Sequence, residues 1–415
     1  MNPPESTSSR RGLVLLAAFL GWMFDGLEMG LFPLVAGPAL GQMQAAAGLT
    51  ADKAFIGHWM GIITACFLVG AAGGGLVFGW LGDRIGRVRA LSASILTYSL
   101  FTGLVFFAQT PLQLGVLRFI AALGMGGEWS LGVALVMEVW PERLRPWLAG
   151  WIGAAGNLGF LLSGLLGLTY PVTGNNWRWI MVAGAAPALL TFFIRQWVPE
   201  SERWKNATHA SPPQPLREIF SPPLLKLTVL ASLLSGVVLI GTWGSVQWLP
   251  LWADQLAGAS YPKAKAYTQI VSALGAVPAG LVGAWLAHRL GRRASYALLC
   301  AGSLVSCAAM FRDVASFGPP FLVMTFVVGG VTAAFFGWLP LYLPEIFPTR
   351  VRATAQGFAY NAGRLLAAVG ALQMGVLTGY FGGYAKAGGV VTLIYAFGFV
   401  LIWFAPESRG KPLPE

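Results

Sequence analysis

The sequence predicts an all-α membrane protein with twelve transmembrane helices arranged as two related six-helix bundles. Three observations support this prediction: little charge, long apolar blocks, and motifs that recur half a chain apart. Of the 415 residues, 10% are charged and 56% are hydrophobic, whereas about 25% of an ordinary soluble protein is charged. A segment that crosses hydrocarbon satisfies its own backbone hydrogen bonds as a helix of about 20 residues. The apolar blocks reach that length, which excludes a soluble globular enzyme.

The apolar blocks divide the chain into twelve predicted spans, separated by Gly, Pro and charged residues. The spans begin near Leu13, His58, Ala90, Pro111, Pro146, Arg178, Lys226, Ala266, Ala294, Pro319, Val351 and Ala387. With the N-terminus inside, 19 of the 27 Lys and Arg residues lie on the inner side and six on the outer side. Because basic loops stay in the cytoplasm, both termini are expected there, in a multi-pass protein of the inner or plasma membrane. The net charge of +11 is therefore a topology signal, and no nucleic-acid partner is expected.

Three motifs recur at about half the chain length. Residues 138–145 (EVWPERLR) return as 345–352 (EIFPTRVR) and residues 199–201 (PES) as 406–408, both at an offset of 207. Residues 81–87 have a weaker echo at 286–292, where His288 stands in place of Asp83. An even number of spans between the copies requires two units in parallel orientation around a central pathway. The predicted units are residues 1–198 and 225–415, joined by a Pro-rich cytoplasmic linker at 199–224.

Several of these motifs resemble a known family. Residues 79–87 (GWLGDRIGR) resemble the signature loop of the major facilitator superfamily, and the resemblance covers essentially the whole chain. Within it, residues 25–28 (DGLE), 124–129 (GMGGEW) and 406–411 (PESRGK) resemble the group that joins sugar porters, SLC22-like organic-ion transporters and bacterial sialate, metabolite and aromatic-acid proton symporters. The resemblance implies the superfamily's fold and transport by alternating access. The Gln-Leu-Ser motif of sugar porters is not found in span seven, which disfavours sugar transport.

Charged side chains within the spans are the first candidates for function, because each costs at least about 2.5 kcal/mol in hydrocarbon. Four of them form the candidate proton-coupling set: Asp25, Glu28, Arg118 and Glu128. The resemblance to proton-coupled sugar porters implies that Asp25 carries the proton and that Arg118 is its switching partner. Depth along the helices instead favours contact of Arg118 with Glu28. A permanent ion pair that only docks two helices is the alternative, and Glu128 is either a second titrating site or a structural carboxylate.

Arg364 is the leading candidate for substrate binding, since it lies twelve residues after Arg352, about 18 Å along a helix. Resemblance to organic-anion transporters implies that it engages the negative group of the substrate. A guanidinium binds a carboxylate through two parallel hydrogen bonds, which favours an organic acid. The alternative is that Arg364 only neutralises Asp25 or Glu28. The remaining predicted substrate-binding residues are Asn361, Tyr360, Asn157, Gln247, Trp248 and Trp129.

A third set is predicted to act in gating, because it lies in the signature loop and in the repeated motif at the cytoplasmic ends of helices. It comprises Asp83, Arg84, Gly86, Arg87, Glu138, Arg145, Glu345 and Arg352. Carboxylates and arginines at these helix ends are expected to hold the cytoplasmic side shut in one conformation.

The predicted function is proton-coupled symport of a small organic anion, with the proton as coupling ion and no other cofactor. The alternatives are organic-cation or drug antiport, sugar transport, and a transport-inactive binding or scaffold protein. The three histidines lie in unrelated places and show no metal-ligand spacing, so neither an enzyme nor a metal site is expected. The chain is expected to act as a monomer in the lipid bilayer.

Overall fold

The computed structural model describes residues 6–49, 53–210 and 214–415, and every regular element in these ranges is a helix. Within these ranges, side chains are described except at 6–10, 53–54, 188, 191–192, 195, 209–210 and 369–379. The first half contains α1 (Ser6–Ala46), α2 (Lys53–Ile85), α3 (Arg87–Leu104), α4 (Pro111–Val139), α5 (Arg145–Thr169), α6 (Trp177–Ala183) and α7 (Ala188–Trp197). Two short helices follow, α8 (Glu202–Ala210) and α9 (Pro215–Ile219). The second half contains α10 (Pro222–Trp243), α11 (Leu249–Ala257), α12 (Ala264–Leu290), α13 (Arg292–Asp313), α14 (Pro319–Ala333), α15 (Phe335–Ile346), α16 (Arg352–Phe381), α17 (Tyr384–Val391) and α18 (Ile394–Leu401).

Ten helical stretches of the described residues are long and apolar enough to cross a membrane. They coincide with ten of the twelve predicted spans. The sixth predicted span falls on the two short helices α6 and α7, and the eleventh falls on α16. The chain is thus a multi-pass membrane protein, and the full number of twelve spans stays a prediction.

The two halves pack in the same way. In the first half α1 packs on α5 and α2 on α4, and in the second half α10 packs on α16 and α12 on α14. The halves meet where α2 contacts α16 and where α5 contacts α12. Glycines allow the backbones to touch there: a Cβ on Gly75 would collide with Gly357, and one on Gly280 would collide with the backbone of α5 at Ala154.

The repeated motifs also build the same local structure in each half. Gly86 and Gly291 have positive φ angles of +108° and +90°, which let the chain turn sharply into α3 and α13. At the start of α3, Glu200 accepts the backbone N–H groups of Arg87 and Val88 at 3.0 and 3.1 Å. Glu407 makes the same two contacts, at 3.0 and 3.1 Å, with the first residues of α13. Each carboxylate therefore satisfies unpaired N–H groups at a helix N-terminus.

Both ends of the chain approach the face of the molecule that carries these motifs, which we call the cluster face. The side-chain Nε1 of Trp140 donates to the carbonyl oxygen of Arg11 at 3.0 Å. Near the C-terminus, the carbonyl oxygen of Pro414 accepts a hydrogen bond from Arg352 Nη2 at 2.9 Å. The repeated motifs of both halves and residues near both ends of the chain thus lie at the same face of the molecule.

Candidate transport site between the two halves

A cavity of about 180 Å³ lies between the two halves. Its base is formed by Trp22, Asn157, Phe336, Tyr360 and Arg364. Its other end is lined by residues that lie far from the cluster face, among them Pro33, Met60, Gln247 and Lys265. Because Lys265 is the second residue of α12, whose last residue is near the cluster face, the cavity extends from mid-depth toward the opposite face.

The charges of this cavity have one sign. Among the described residues that line it, Arg364 and Lys265 are the charged ones, and both are cations. The rest of the lining is apolar, aromatic or neutral polar. A low-dielectric cavity with positive charge attracts an anion and repels a cation. The site is therefore suited to a small anionic ligand.

Arg364 is held by an aromatic cluster at the base of the cavity. Its guanidinium lies 5.4 Å from the ring centre of Tyr360. Tyr360 stacks on Trp129 with the ring centres 3.9 Å apart, and Trp22 meets it edge-on at 6.4 Å. Arg364 is 2% exposed, and its Nε has no hydrogen-bond partner among the described residues. A buried polar group without a partner is unfavourable, so this nitrogen is a ready donor for a ligand.

The described residues include no ion pair between Arg364 and an acidic side chain. Glu28 is already paired with Arg118. Asp25 lies close enough to Arg364 for an electrostatic interaction, without forming an ion pair. Arg364 is thus not paired with Glu28, whereas the alternative in which it only neutralises Asp25 stays a prediction; the side chain of Arg364 lines the cavity.

The other predicted substrate-binding residues divide into two groups. Asn157, Gln247, Trp248 and Tyr360 line the cavity. Asn361 and Trp129 are not among the residues that line it, and their part in substrate binding stays a prediction. Asn361 Nδ2 donates to the carbonyl oxygens of Gly126 and Gly357 at 3.1 and 2.9 Å, and its bond to Gly126 connects the halves. Trp129 lies behind Tyr360 and supports it.

Among the polar cavity residues that the sequence reasoning did not single out are Lys265 and Gln269. Lys265 was counted only as a charge of the outer connection, and Gln269 was not considered. Gln269 Nε2 donates to Ser163 Oγ at 2.5 Å and joins α12 to α5. No sequence signal distinguishes them, because their inward direction depends on the rotation of α12 about its axis.

The charged residues of α1 and α4 form a layer beside the cavity, within the first half. Arg118 forms a buried ion pair with Glu28, and its guanidinium also lies over the rings of Phe32 and Phe67 at 4.5 and 4.9 Å. The contact of Arg118 with Asp25 implied by the family resemblance is not formed. The depth argument is correct, because one helical turn separates the two acids and Glu28 is the one level with Arg118.

Asp25 instead lies beside Glu128. Their carboxyl groups approach to hydrogen-bonding distance, and a Cβ on Gly21, one turn before Asp25, would collide with Glu128. Both residues are buried, and neither carboxyl has a protein N–H or O–H donor in the described chain. The unpartnered hydroxyl of Tyr98 lies within electrostatic range of both. An oxygen–oxygen contact of this kind is favourable only when one carboxyl carries a proton.

At the cluster face, a buried ionic network joins the two halves. Arg87 bonds Asp83 at 2.6 Å and Glu138 at 3.1 Å, and Glu138 also accepts from Arg352 of the second half at 3.0 Å. Asp83 accepts further hydrogen bonds from the backbone N–H and hydroxyl of Thr354, at 2.8 and 2.5 Å. We call these five residues the cross-half network.

The remaining predicted gating residues are outside this network. Arg292 forms an ion pair with Glu345 inside the second half, at 2.5 and 2.9 Å. Arg145 pairs with Glu142 at 3.1 Å. Arg84 lies over the ring of Trp80, and Gly86 supplies the turn before α3.

A repeated helical bundle with a cavity between its halves, closed at one face by a buried network, defines the class of alternating-access carriers. The chain belongs to the major facilitator superfamily, whose sequence profile matches residues 13–311. A second profile, that of sugar and other transporters, matches residues 254–415. The resemblance found in the motifs is thus confirmed, and the chain is a transporter of this superfamily.

Several similar proteins are named as transporters of organic acids or metabolites. The chain is 32% identical to the probable 4-methylmuconolactone transporter of Cupriavidus pinatubonensis, over 95% of this chain and 90% of that protein. It is 30% identical to the cis,cis-muconate transport protein of Acinetobacter baylyi, over 96% and 95%. Among solved structures, the proton:xylose symporter XylE with a bound sugar analogue matches with a TM-score of 0.79 at 20% identity, over 98% of each chain. At this identity, XylE shows the shared fold alone.

Proposed function

We propose that the protein is a proton-coupled symporter of a small, planar organic anion and works by alternating access. The observation that supports this most directly is the cavity in which Arg364 and Lys265 supply the charge. An organic cation would meet two like charges there, and a neutral sugar would leave Arg364 Nε without a charged partner. Because one chain supplies the whole cavity, the proposal is for a monomer, with the proton as coupling ion and no other cofactor.

We assign the cluster face to the cytoplasmic side of the inner membrane. Most of the basic residues lie in connections on this side, including Arg292, Arg293 and Arg350, and basic connections stay cytoplasmic. The cavity then opens outward, and the cross-half network closes its cytoplasmic side. In this assignment the network must break for the substrate to leave inward.

The aromatic base of the cavity favours a flat, conjugated acid. Trp22, Phe336 and Tyr360 present ring surfaces beside Arg364, and aromatic rings pack well against planar groups. Two relatives are named for muconate and a muconolactone. We extend that chemical class to this chain, with the carboxylate on Arg364 and the conjugated part on the rings.

Coupling follows from the position of Arg364 between the cavity and Asp25. A substrate carboxylate on Arg364 neutralises the cation that faces the Asp25–Glu128 pair. The pair is then most stable with a proton between its two carboxyls. By linkage, proton and anion favour each other's binding, which is the thermodynamic requirement for symport.

The test is uptake into proteoliposomes with an inward proton gradient, with labelled cis,cis-muconate as the probe. We expect Arg364→Ala to lower kcat/KM about 150-fold, since removing a buried charged partner costs about 3 kcal/mol. Arg364→Lys keeps the charge but lacks the planar guanidinium, so its kcat/KM should lie between those of the wild type and Arg364→Ala. Lys205→Gln, on the exposed helix α8, is the surface control. Wild-type uptake by Arg364→Ala would contradict the assignment of the anion site.

The same vesicles test the coupling. Asp25→Asn is expected to abolish uphill accumulation while downhill exchange of labelled for unlabelled muconate continues, because the substrate site is intact. Glu128→Gln should have the same effect. Concentrative uptake by both variants would place the proton elsewhere.

A further inference from the structure

Lys265 is the second cation that lines the cavity. Beyond its charge, the proposed mechanism assigns it no step in transport. It lies at the outer end of α12, about 37 Å from Leu290 at 1.5 Å per residue. Arg364 is only about 18 Å from Arg352, the residue of α16 in the cross-half network. The two cations therefore lie at different depths of one cavity, Lys265 near the mouth and Arg364 at the base.

Lys265 has an internal anionic partner. Its Nζ lies 3.0 Å from Asp254 Oδ2, and the two side chains are 42% and 46% exposed. Asp254 belongs to α11, and the residues just before it in the chain, Pro250 and Leu251, line the cavity, whereas Asp254 does not. The ion pair thus lies at the rim, with the cation reaching the cavity and the anion outside it.

An ion pair of this exposure contributes little to stability, because water screens it. An incoming carboxylate can replace Asp254 as the partner of Lys265 at a comparably small cost. Arg364, in contrast, is buried, and in the described part of the chain its Nε has no hydrogen-bond partner. A carboxylate that leaves Lys265 for Arg364 therefore moves from a weak, screened contact to a stronger, desolvated one.

On this basis, and resting on the proposed function, we infer that Lys265 is a capture site for the carboxylate at the mouth of the cavity. Asp254 is its built-in competitor, which occupies the lysine until substrate arrives. The substrate class is an organic acid, bound first at Lys265 and then at Arg364. Lys265 is a specificity residue for anions, since a cationic solute is repelled before it reaches the base.

This inference predicts opposite signs for the two members of the ion pair. Lys265→Gln removes the capture site and should raise the KM for the acid about fivefold, with kcat within twofold of wild type. Asp254→Asn removes the competitor and should lower the KM by two- to fivefold. If the ion pair only braced α11 against α12, both variants would change the KM in the same direction.

The experiment measures initial rates of cis,cis-muconate uptake by the full chain in proteoliposomes, at two ionic strengths. The matched controls are Lys205→Gln and Glu202→Gln, which break another exposed pair, at 2.8 Å and with the lysine also 42% exposed. Both controls should keep the wild-type KM. The Lys265→Gln effect should shrink at high salt, because exposed charges are screened within about 10 Å at 0.1 M. Lys265→Arg keeps the positive charge and should therefore keep the wild-type KM.

Equal signs for Lys265→Gln and Asp254→Asn, or a KM that neither variant changes, would overturn the capture site. If Arg364→Ala loses uptake in that case, the proposed function stands and only the capture site fails. If Arg364→Ala and Lys265→Gln both transport as wild type, both proposals fail.

Discussion

The two copies of the charged motif share their local geometry and differ in what they join. In the first half, Arg87 and Glu138 continue across the interface to Arg352. In the second half, Arg292 and Glu345 form a closed pair, to which Ser408 adds a hydrogen bond at 2.6 Å. One motif thus forms an ion pair between the halves, whereas the ion pair of its repeat lies within its own half.

Two sequence differences explain this asymmetry. Asp83, which bonds Thr354 across the interface, is replaced by His288 in the second copy. Glu142 holds Arg145 within the first half, whereas the corresponding residue of the second copy, Thr349, carries no charge. Arg352 therefore forms an ion pair with Glu138, whereas Arg145 is paired with Glu142 and interacts with Glu345 only at longer range. Two copies of a repeat can keep the same backbone fold while single side chains determine whether their ion pairs form within one half or between the halves.

The two interfaces between the halves differ accordingly. The α2–α16 interface is held at the cluster face by the hydrogen bonds from Thr354 to Asp83, beside the buried ion pair of Glu138 with Arg352. The α5–α12 interface has backbone contact at Gly150, Gly153 and Gly280 and the hydrogen bond of Gln269 with Ser163. We expect the first to separate when the cluster face opens and the second to act as the pivot.

The largest expected effect is that of Glu138→Gln, which leaves Arg87 and Arg352 buried without their shared carboxylate. Breaking a buried pair in this way costs about 3 kcal/mol. The closed cluster face should lose that stabilisation, and electron–electron distance measurements between spin labels on the cluster-face ends of α2 and α16 should show a larger open population.

Glu345→Gln is the repeat-related control for this measurement. It breaks a pair inside one half, so it should lower the thermal stability without moving α2 away from α16. An equal shift toward the open state in both variants would remove the distinction between the two copies.

A smaller effect is expected when a change in the first copy allows the repeat-related contact between the halves to form. Glu142→Thr releases Arg145, at the start of α5, which can then reach Glu345 on α15 in the other half. One added hydrogen-bonded contact contributes about 1 kcal/mol, so turnover should fall about fivefold. The double variant Glu142→Thr/Glu345→Gln should regain wild-type turnover, and a loss that persists in it would show that Arg145 acts through another partner.

The smallest effect distinguishes Glu200 from Glu407, which make the same contacts in the two halves. Burial raises the pKa of Glu200, even though backbone N–H groups of Ser201 and Val88 and the charge of Arg87 oppose it. Glu407 is also subject to burial, but the N–H bonds from Arg292, Arg293 and Arg409 outweigh it and hold its pKa below the usual range.

The sign of the pH dependence therefore differs. Glu407 stabilises the fold above the ordinary glutamate range, and this contribution is lost as pH falls through its lowered pKa. The stabilisation from Glu200 is complete below its unfolded pKa and declines as pH rises through its raised pKa. At pH 7, Glu407→Gln should lower the melting temperature by about 1 °C and Glu200→Gln by less. The Glu407→Gln difference should shrink as pH falls below the ordinary glutamate range, and a difference that is constant with pH would contradict this account.

Much of the site could be predicted from the sequence, because a charge inside an apolar span is visible without coordinates. Asp25, Glu128, Arg118 and Arg364 were all found in this way, and depth along a helix correctly favoured Glu28 as the partner of Arg118. The contact of Asp25 with Glu128 was not predicted, since it depends on how far α1 and α4 are rotated toward each other. The inward direction of Lys265 was not predictable for the same reason.

The sequence by itself determined the helical membrane architecture, the repeat at 207 residues and the set of buried charges. These follow from composition and from distances along one chain. They can be recognised in the sequence because an unpaired charge or backbone group is costly in lipid. The tertiary structure alone decided which charges meet, which half each motif bonds and which cations face the cavity. Those choices depend on helix rotation and on backbone contact between glycines, and both are set by packing between segments far apart in sequence.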